Sequence, residues 1–335
     1  MTEDKLPHHL YDRGYKMLLS YWQILRELVD GYLDSDWKNR LDYSKSQLID
    51  KSYVSKDLEK EESDIVYKIP IIGLDKEVFL YVLIEHQSTV DFAMPLRLFL
   101  YTAKVWGDIY KNTDQNIRKQ KGFRLPPVIP IVLYNGENNW TCVRCLWDLV
   151  EQAQLFGDFV PNLRYYLVDI PRLDKTKLAK FANGLAAAFL LDREMDSADF
   201  AQTLQQATTW LDNEPDDEVL HGVAAWIIML LKNEFPDSVK DLLDNVDLNK
   251  RSRKEVKTML ETMPRKIYNS GRQEECKQNI LTFLEGRFGF VSPEILVSVE
   301  KVDSLQALQR LVRKAAVAKD LAEFQAALEE IGKLS

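Results

Sequence analysis

Ser63-Asp64-Ile65-Val66-Tyr67-Lys68 and Leu83-Ile84-Glu85-His86-Gln87-Ser88 decide how this chain is read. Both segments carry β-branched and aromatic residues and read as strands. A turn signal, Gly73-Leu74-Asp75-Lys76, lies between them. A hairpin folded symmetrically about Leu74-Asp75, with a four-residue loop, sets Ile72 across from Glu77 and Asp64 across from Glu85. Directly opposed residues share a face, with Cβ atoms about 5 Å apart. Two carboxylates so placed among apolar neighbours repel unless a cation lies between them. The pair points to a divalent-metal site and from there to phosphodiester hydrolysis. An odd-length loop, or a bulge at Pro70, would move one acid to the other face. Two acids near strand ends also read as ordinary surface residues.

Working outward, the strands run from about Asp64 to Ile72 and from Glu77 to Gln87, and both faces are largely apolar. Val66, Ile72, Phe79, Tyr81 and Leu83 share one face; Ile65, Tyr67, Ile69, Val78, Leu80, Val82 and Ile84 share the other. Such strands belong in a sheet covered on both sides. Residues 10–33 carry a helical stripe that includes Tyr15, Leu18, Trp22, Leu25 and Val29. A short strand falls near Gln47–Tyr53. Asp91 reads as the cap of a helix that reaches Tyr110, with Leu96, Phe99, Ala103, Trp106 and Tyr110 turned inward. Arg97, Tyr101 and Lys104 share another face of it. A polar loop, Lys111 to Arg124, follows. Val128–Tyr134 is a further core strand, with Pro130 predicting an irregularity, and Arg164–Val168 a last short one.

After about residue 172 helical periodicity takes over. Asp212–Glu218 is an acidic connection. Lys250–Lys257 opens a charged helix, and Ile280–Phe290 and Leu305–Ile331 read as small amphipathic helices. The expected plan is an α/β domain over 1–170, a helical region over 171–250 and a charged helical C-terminal region over 251–335.

The 335 residues are 46% apolar and 29% charged, as in ordinary globular proteins, with a formal charge of −8. A chain-wide basic surface is excluded, so any nucleic acid must meet a local basic track. Three cysteines are too few for a disulfide framework and fit a reducing compartment. The start has no apolar signal region, and the longest apolar runs, Ala186–Leu191 and Val223–Leu231, fall short of a membrane span. A cytoplasmic protein without membrane association is expected. Cys142 and Cys145 form a C-x-x-C with no second pair to complete a zinc site.

The order of helix, apolar hairpin with Asp and Glu-x-Gln, helix and apolar strand resembles the PD-(D/E)XK nuclease superfamily. More narrowly it resembles the Rpn family of recombination-promoting nucleases, also described as transposase-like. The resemblance rests on Ser63-Asp64-Ile65-Val66-Tyr67, Leu83-Ile84-Glu85-His86-Gln87-Ser88-Thr89, Arg97 with Tyr101, and Pro127-Val128-Ile129-Pro130 leading to Tyr134-Asn135-Gly136. It covers about residues 8–170 well. It implies a restriction-endonuclease-like core, a mixed sheet flanked by helices, and metal-dependent DNA cleavage linked to recombination or mobile elements. The family often opens with His-Asp in its first helix; this chain has Tyr11-Asp12. Asp64 and Glu85 are the implied Mg²⁺ (or Mn²⁺) ligands. Gln87 stands where the wider superfamily usually carries Lys.

Hard cations prefer oxygen ligands and often take only one or two protein carboxylates. Asp64 and Glu85 suit that need, with the backbone carbonyl of His86 as a third ligand. Alternation turns the His86 side chain to the opposite face and sets Gln87 on the Glu85 face. Neutral Gln87 orients water or a phosphate oxygen but supplies no charge. Lys68 lies about 13 Å along the strand from Asp64 and does not replace the missing Lys. Arg97, Tyr101, Lys104, Arg118, Lys119, Lys121 and Arg124 are the DNA-contact candidates, against the plainer reading of a solvated helix face and loop. Glu27 reads either as a surface acid or as a helix acid reaching the metal. The function expected is a metal-dependent DNA endonuclease, with a helical half for self-association, DNA placement or regulation. The alternative is a catalytically weak or inactive DNA- or partner-binding protein on the same fold.

Overall fold

The computed structural model describes residues 8–49, 65–85, 90–193, 195–234 and 247–332. These fall into two compact units, one within Met1–Arg193 and Trp210–Leu230, the other within Glu194–Thr209 and Leu231–Ser335.

The first unit is built on a five-stranded mixed sheet in the order β1-β2-β3-β4-β5. The strands are β1 (Gln47–Leu48), β2 (Ile65–Pro70), β3 (Glu77–Glu85), β4 (Val128–Tyr134) and β5 (Tyr166–Asp169). The first three pair antiparallel, and β3, β4 and β5 run parallel. A parallel step needs a crossover, and between β3 and β4 it is helix α3 (Met94–Asn112). Preceding the sheet are α1 (His8–Leu19) and α2 (Trp22–Tyr32).

Both faces of the hairpin are buried, as the apolar pattern requires. Val66, Phe79, Tyr81 and Leu83 join Val128, Val132 and Tyr134 beneath Met94, Leu98, Tyr101 and Val105 of α3. On the opposite face Ile69, Leu80, Val82, Ile131 and Leu133 are fully buried, and α1 packs against β3 there.

Several expectations are corrected. The single helix over 10–33 is two. Tyr21 is extended, and the Tyr67 hydroxyl donates to the Ser20 carbonyl at 2.5 Å, so a contact from β2 ends α1 where periodicity alone would continue it. The hairpin register differs by two residues: Pro70 faces Glu77 and Ile65 faces Val82. The Leu74 amide donates to the Ile71 carbonyl at 3.1 Å, and Gly73 has φ +76. That positive φ, free of strain only for glycine, suits Gly73 to the β-turn with Ile72-Gly73 as its central pair, and the hairpin is centred on Gly73-Leu74 and not on Leu74-Asp75. The four-residue loop is kept, since the Ile71 amide donates to the Lys76 carbonyl at 2.9 Å. No bulge occurs at Pro70, where the register runs unbroken. An even shift preserves the faces. β4 pairs with β3 from Val128 but with β5 only from Ile131, so Pro130 sits ahead of the second ladder and causes no break.

Helix α3 starts later than expected. Asp91 accepts from the Ala93 amide at 2.8 Å in a turn just before it, and Pro95 fits its first turn, where no amide hydrogen is needed. Its buried face is Met94, Leu98, Tyr101, Thr102 and Val105, rotated about 120° from the expected stripe at 100° per residue. Leu96 and Tyr110 are exposed. The helix is apolar on most of its circumference, so periodicity alone does not choose its inner face.

Three further helices complete this unit. They are α6 (Lys175–Phe181), α7 (Gly184–Leu191) and most of α9 (Asp217–Glu234), numbered after two single-turn helices, α4 (Gln115–Arg118) and α5 (Ala153–Phe156). Tyr15, Phe189 and Trp226 pack together, with ring centroids 6.0 and 5.9 Å from Tyr15.

The second unit is helical. It holds most of α8 (Ser197–Leu211) and the 36-residue α10 (Arg253–Phe288), whose Ser252–Glu255 capping box matches the charged start read at Lys250–Lys257. Ile280 belongs to this long helix and not to a separate one. The remainder forms α11 (Pro293–Glu300), α12 (Leu305–Val317) and α13 (Leu321–Gly332) around Leu284, Val299, Leu308, Leu311 and Phe324. Among the described residues no helix is long and apolar enough to cross a membrane.

Candidate functional site

Three parallel strands end together. Glu85, the last residue of β3, pairs with Tyr134 of β4, and Tyr134 pairs with Asp169 of β5. In open α/β sheets, ligands bind beyond such carboxyl ends. Asp64, His86 and Gln87 lie outside the described residues, so the Asp64–Glu85 pair is placed only through the Glu85 backbone. Among the described residues no group of three or more His, Cys, Asp or Glu is arranged to hold a metal.

Helix α3 returns from β3 toward the start of β4, so its first turns lie at this same edge. Tyr101 stacks on Tyr81, ring centroids 4.9 Å apart. Arg97 is one turn before Tyr101, and Glu85 is four residues beyond Tyr81; both steps lead toward the strand ends. Arg97, Tyr101 and Lys104 line one cleft of about 500 Å³ with Asp91, Ala93, Leu96 and Leu100. Arg97 pairs with Asp91 at 3.7 Å. Lys104 forms no ion pair among the described residues. Tyr101 is buried, so only its edge borders the cleft.

The loop cations sit elsewhere. They follow the far end of α3, about 22 Å from Arg97 at 1.5 Å per residue. Arg118 lies over the Tyr110 ring at 4.8 Å, and Tyr110 meets Phe123 edge-on. The Arg124 guanidinium donates to the Lys121 and Phe123 carbonyls at 3.0 and 2.8 Å. Lys119 and Lys121 are exposed. The structure gathers Arg97, Tyr101 and Lys104, and it sets Arg118, Lys119, Lys121 and Arg124 apart from them. Lys68 pairs with Glu77 at 2.9 Å, away from the strand ends.

With this geometry in view, the family described as "Putative transposase, YhgA-like" matches residues 7–221. The chain belongs to that family. It is 24% identical to recombination-promoting nuclease RpnC of Escherichia coli K12 over 60% of this chain and 64% of that protein. It is 22% identical to recombination-promoting nuclease RpnD of Escherichia coli O157:H7 over 80% of this chain and 96% of that protein. It is 23% identical to the inactive recombination-promoting nuclease-like protein RpnE of Escherichia coli K12 over 63% of this chain and 67% of that protein. The Rpn resemblance carried by the Asp64 and Glu85 segments thus holds. No solved structure matches the chain.

The match to the YhgA-like family ends at His221, beyond the sheet, and takes in Glu27 together with Asp192 and Arg172, which the sequence pattern did not single out. Glu27 is not an open surface acid but is held at the start of α7. Its Oε2 accepts from the Leu185 amide at 2.8 Å, at the start of α7. Burial, opposed by that hydrogen bond and aided by Glu214, pushes its carboxyl up to about 7. Asp192, after α7, accepts from the Tyr15 hydroxyl and the Asn135 side-chain amide, each at 2.5 Å. Arg172, after β5, grips the loop that follows β4. Its Nε donates to Asn139 Oδ1 at 3.2 Å, its Nη1 to the Gly136 carbonyl at 2.6 Å, and its Nη2 to the Glu137 carbonyl. Nη1 also lies 3.3 Å from Asp169 Oδ1. Burial raises the Asp169 carboxyl, and Arg172 works against that rise. The only local signals for this clamp were the Asp169-x-x-Arg172 spacing and the Asn-Gly start of the loop.

Proposed function

We propose that this protein is a metal-dependent DNA endonuclease whose chemistry occurs at the carboxyl ends of β3 and β4, within a restriction-endonuclease-like core. One observation carries the reading: Glu85, from the segment with the most specific family resemblance, ends the strand at the centre of the sheet, beside two other parallel strand ends. The relatives named recombination-promoting nucleases support it. Glu85, Asp64 and the His86 carbonyl are all oxygen donors, the set that suits Mg²⁺ or Mn²⁺. A bound divalent ion would supply an activated water and neutralise charge on the phosphate. The chain's own work is to hold Asp64 and Glu85 on one face, to orient water or a phosphate oxygen through Gln87, and to draw the DNA backbone toward Lys104 and Arg97. Arg118, Lys119, Lys121 and Arg124 would follow the same backbone farther along.

A second reading keeps the DNA contacts and drops the cleavage. Neutral Gln87 favours it, because a Lys there would stabilise charge that Gln cannot, and one relative is named inactive. Plasmid nicking separates the two. The nuclease reading expects nicks with Mg²⁺, none with EDTA and none from Asp64→Asn. DNA binding without metal-dependent nicking leaves the second reading standing.

A further inference from the structure

Loops rich in Asn and Gly on a protein surface are ordinarily mobile. The loop Asn135-Gly136-Glu137-Asn138-Asn139 is held instead at many points. It leaves β4 directly after Tyr134, the residue paired with Glu85. The Tyr134 hydroxyl donates to the Asn138 carbonyl at 2.8 Å, and Asn135 is anchored to Asp192. Arg172 closes the arrangement from the β5 side, with each of its three nitrogens engaged on the loop. Asp169, at the level of Glu85 and Tyr134, holds the same guanidinium. A planar fork with donors fixed in direction suits such a set of acceptors, and a lysine ammonium does not.

We propose that Arg172 is a positioning residue for catalysis: it fixes the 135–139 loop beside the end of β3, and so sets where the scissile phosphate meets Glu85. The inference rests on the nuclease reading above. Arg172 itself touches no reacting atom. A loop that shifts by an ångström misplaces the substrate without removing a ligand, so the loss falls on turnover and not on binding.

The test uses the full chain and supercoiled plasmid with Mg²⁺. Arg172→Ala should lower kcat about 100-fold and Arg172→Lys about 10-fold, with KM within about 2-fold of the parent. Millimolar guanidinium should restore several-fold of the activity lost in Arg172→Ala and none of that lost in Arg172→Lys. DNA affinity measured by anisotropy in EDTA should stay at the parent value. A parental kcat in Arg172→Lys overturns the inference, as does an Arg172→Ala defect that guanidinium leaves untouched. Where Arg172→Ala does not fold, Arg172→Lys decides alone: a fall in kcat at unchanged melting temperature and DNA affinity supports the proposal. A parent chain that never nicks DNA overturns the nuclease reading and this inference with it. An active parent with indifferent variants overturns the inference alone.

Discussion

Tyr101 lies nearly parallel to Tyr81, with planes 28° apart and ring centroids 4.9 Å apart. The stack joins the middle of α3 to the middle of β3. It fixes how far α3 is rotated and so which residues border the cleft at the strand ends. Tyr101 was expected to share a DNA-facing surface with Arg97 and Lys104. It borders the same cleft, but most of its ring is spent on the core. Tyr101→Ala should therefore cost about 3 kcal/mol of stability, the range for a buried aromatic removed from a packed site. Urea unfolding checks this. A variant as stable as the parent would show that the stack does not hold the helix.

Glu27 gives a pH dependence with a defined sign. Its carboxyl is raised from an ordinary 4.5 to about 7 in the folded chain. Folding then favours the protonated form. The associated stability is fully present below about pH 4.5 and is lost as pH rises through about 7. Glu27→Gln keeps an acceptor for the Leu185 amide and cannot ionise. It should be more stable than the parent at pH 8 by about 1–2 kcal/mol, with the gap closing toward pH 5. Melting temperatures at both pH values provide the measurement, and a constant gap would show that Glu27 does not titrate in this range.

The sheet was legible because its strands are apolar on both faces; β2, β3 and β4 fall where the runs of Val, Ile, Leu and Tyr place them. What escaped was decided by contacts between distant segments. The apolar stripe does not end a helix at Ser20; there the Ser20 hydroxyl donates to the Met17 carbonyl and the Tyr67 hydroxyl donates to the Ser20 carbonyl. Nothing in the stripes of α3 prefers Leu98 to Leu96, and the Tyr81 ring makes the choice. The hairpin register turned on one glycine, since Gly73 at positive φ moved the turn centre. At the candidate site Glu85 was singled out by its motif, whereas Arg172 and Asp192 gain meaning only when the ends of β4, β5 and α7 are brought together.

The metal makes a separate prediction. Mg²⁺ or Mn²⁺ bound only by the folded chain raises its stability by RT ln(1 + [L]/Kd), about 2.7 kcal/mol at one hundred times Kd. Asp64→Asn should abolish that stabilisation together with nicking. Gln87→Ala should keep the stabilisation and slow nicking. Equal rates in the parent and Gln87→Ala would remove the side chain from the mechanism, and undiminished cutting by Asp64→Asn would move the site elsewhere.

The basic loop tests how DNA lies on the protein. Arg97 and Lys104 flank the cleft, while Arg118, Lys119, Lys121 and Arg124 sit past the other end of α3. A duplex that touches both groups must run along that helix. Each phosphate contact contributes roughly 0.9 to the slope of log affinity against log salt. Replacing the four loop cations with Ala should flatten that slope by about 2–4 units and weaken binding alike on all sequences. The Lys104→Ala change should lower it by about 1. Metal-dependent stabilisation should be unchanged in both variants. Arg118 and Arg124 are partly engaged within the loop, with Tyr110 and with the Lys121 and Phe123 carbonyls, so the exposed Lys119 and Lys121 should carry most of the effect. A salt slope unmoved by the quadruple change, but lowered by Lys104→Ala, would confine DNA to the cleft end of α3. If neither change moves it, the DNA approaches by another surface, and Lys250–Lys257 at the start of α10 is the next place to substitute.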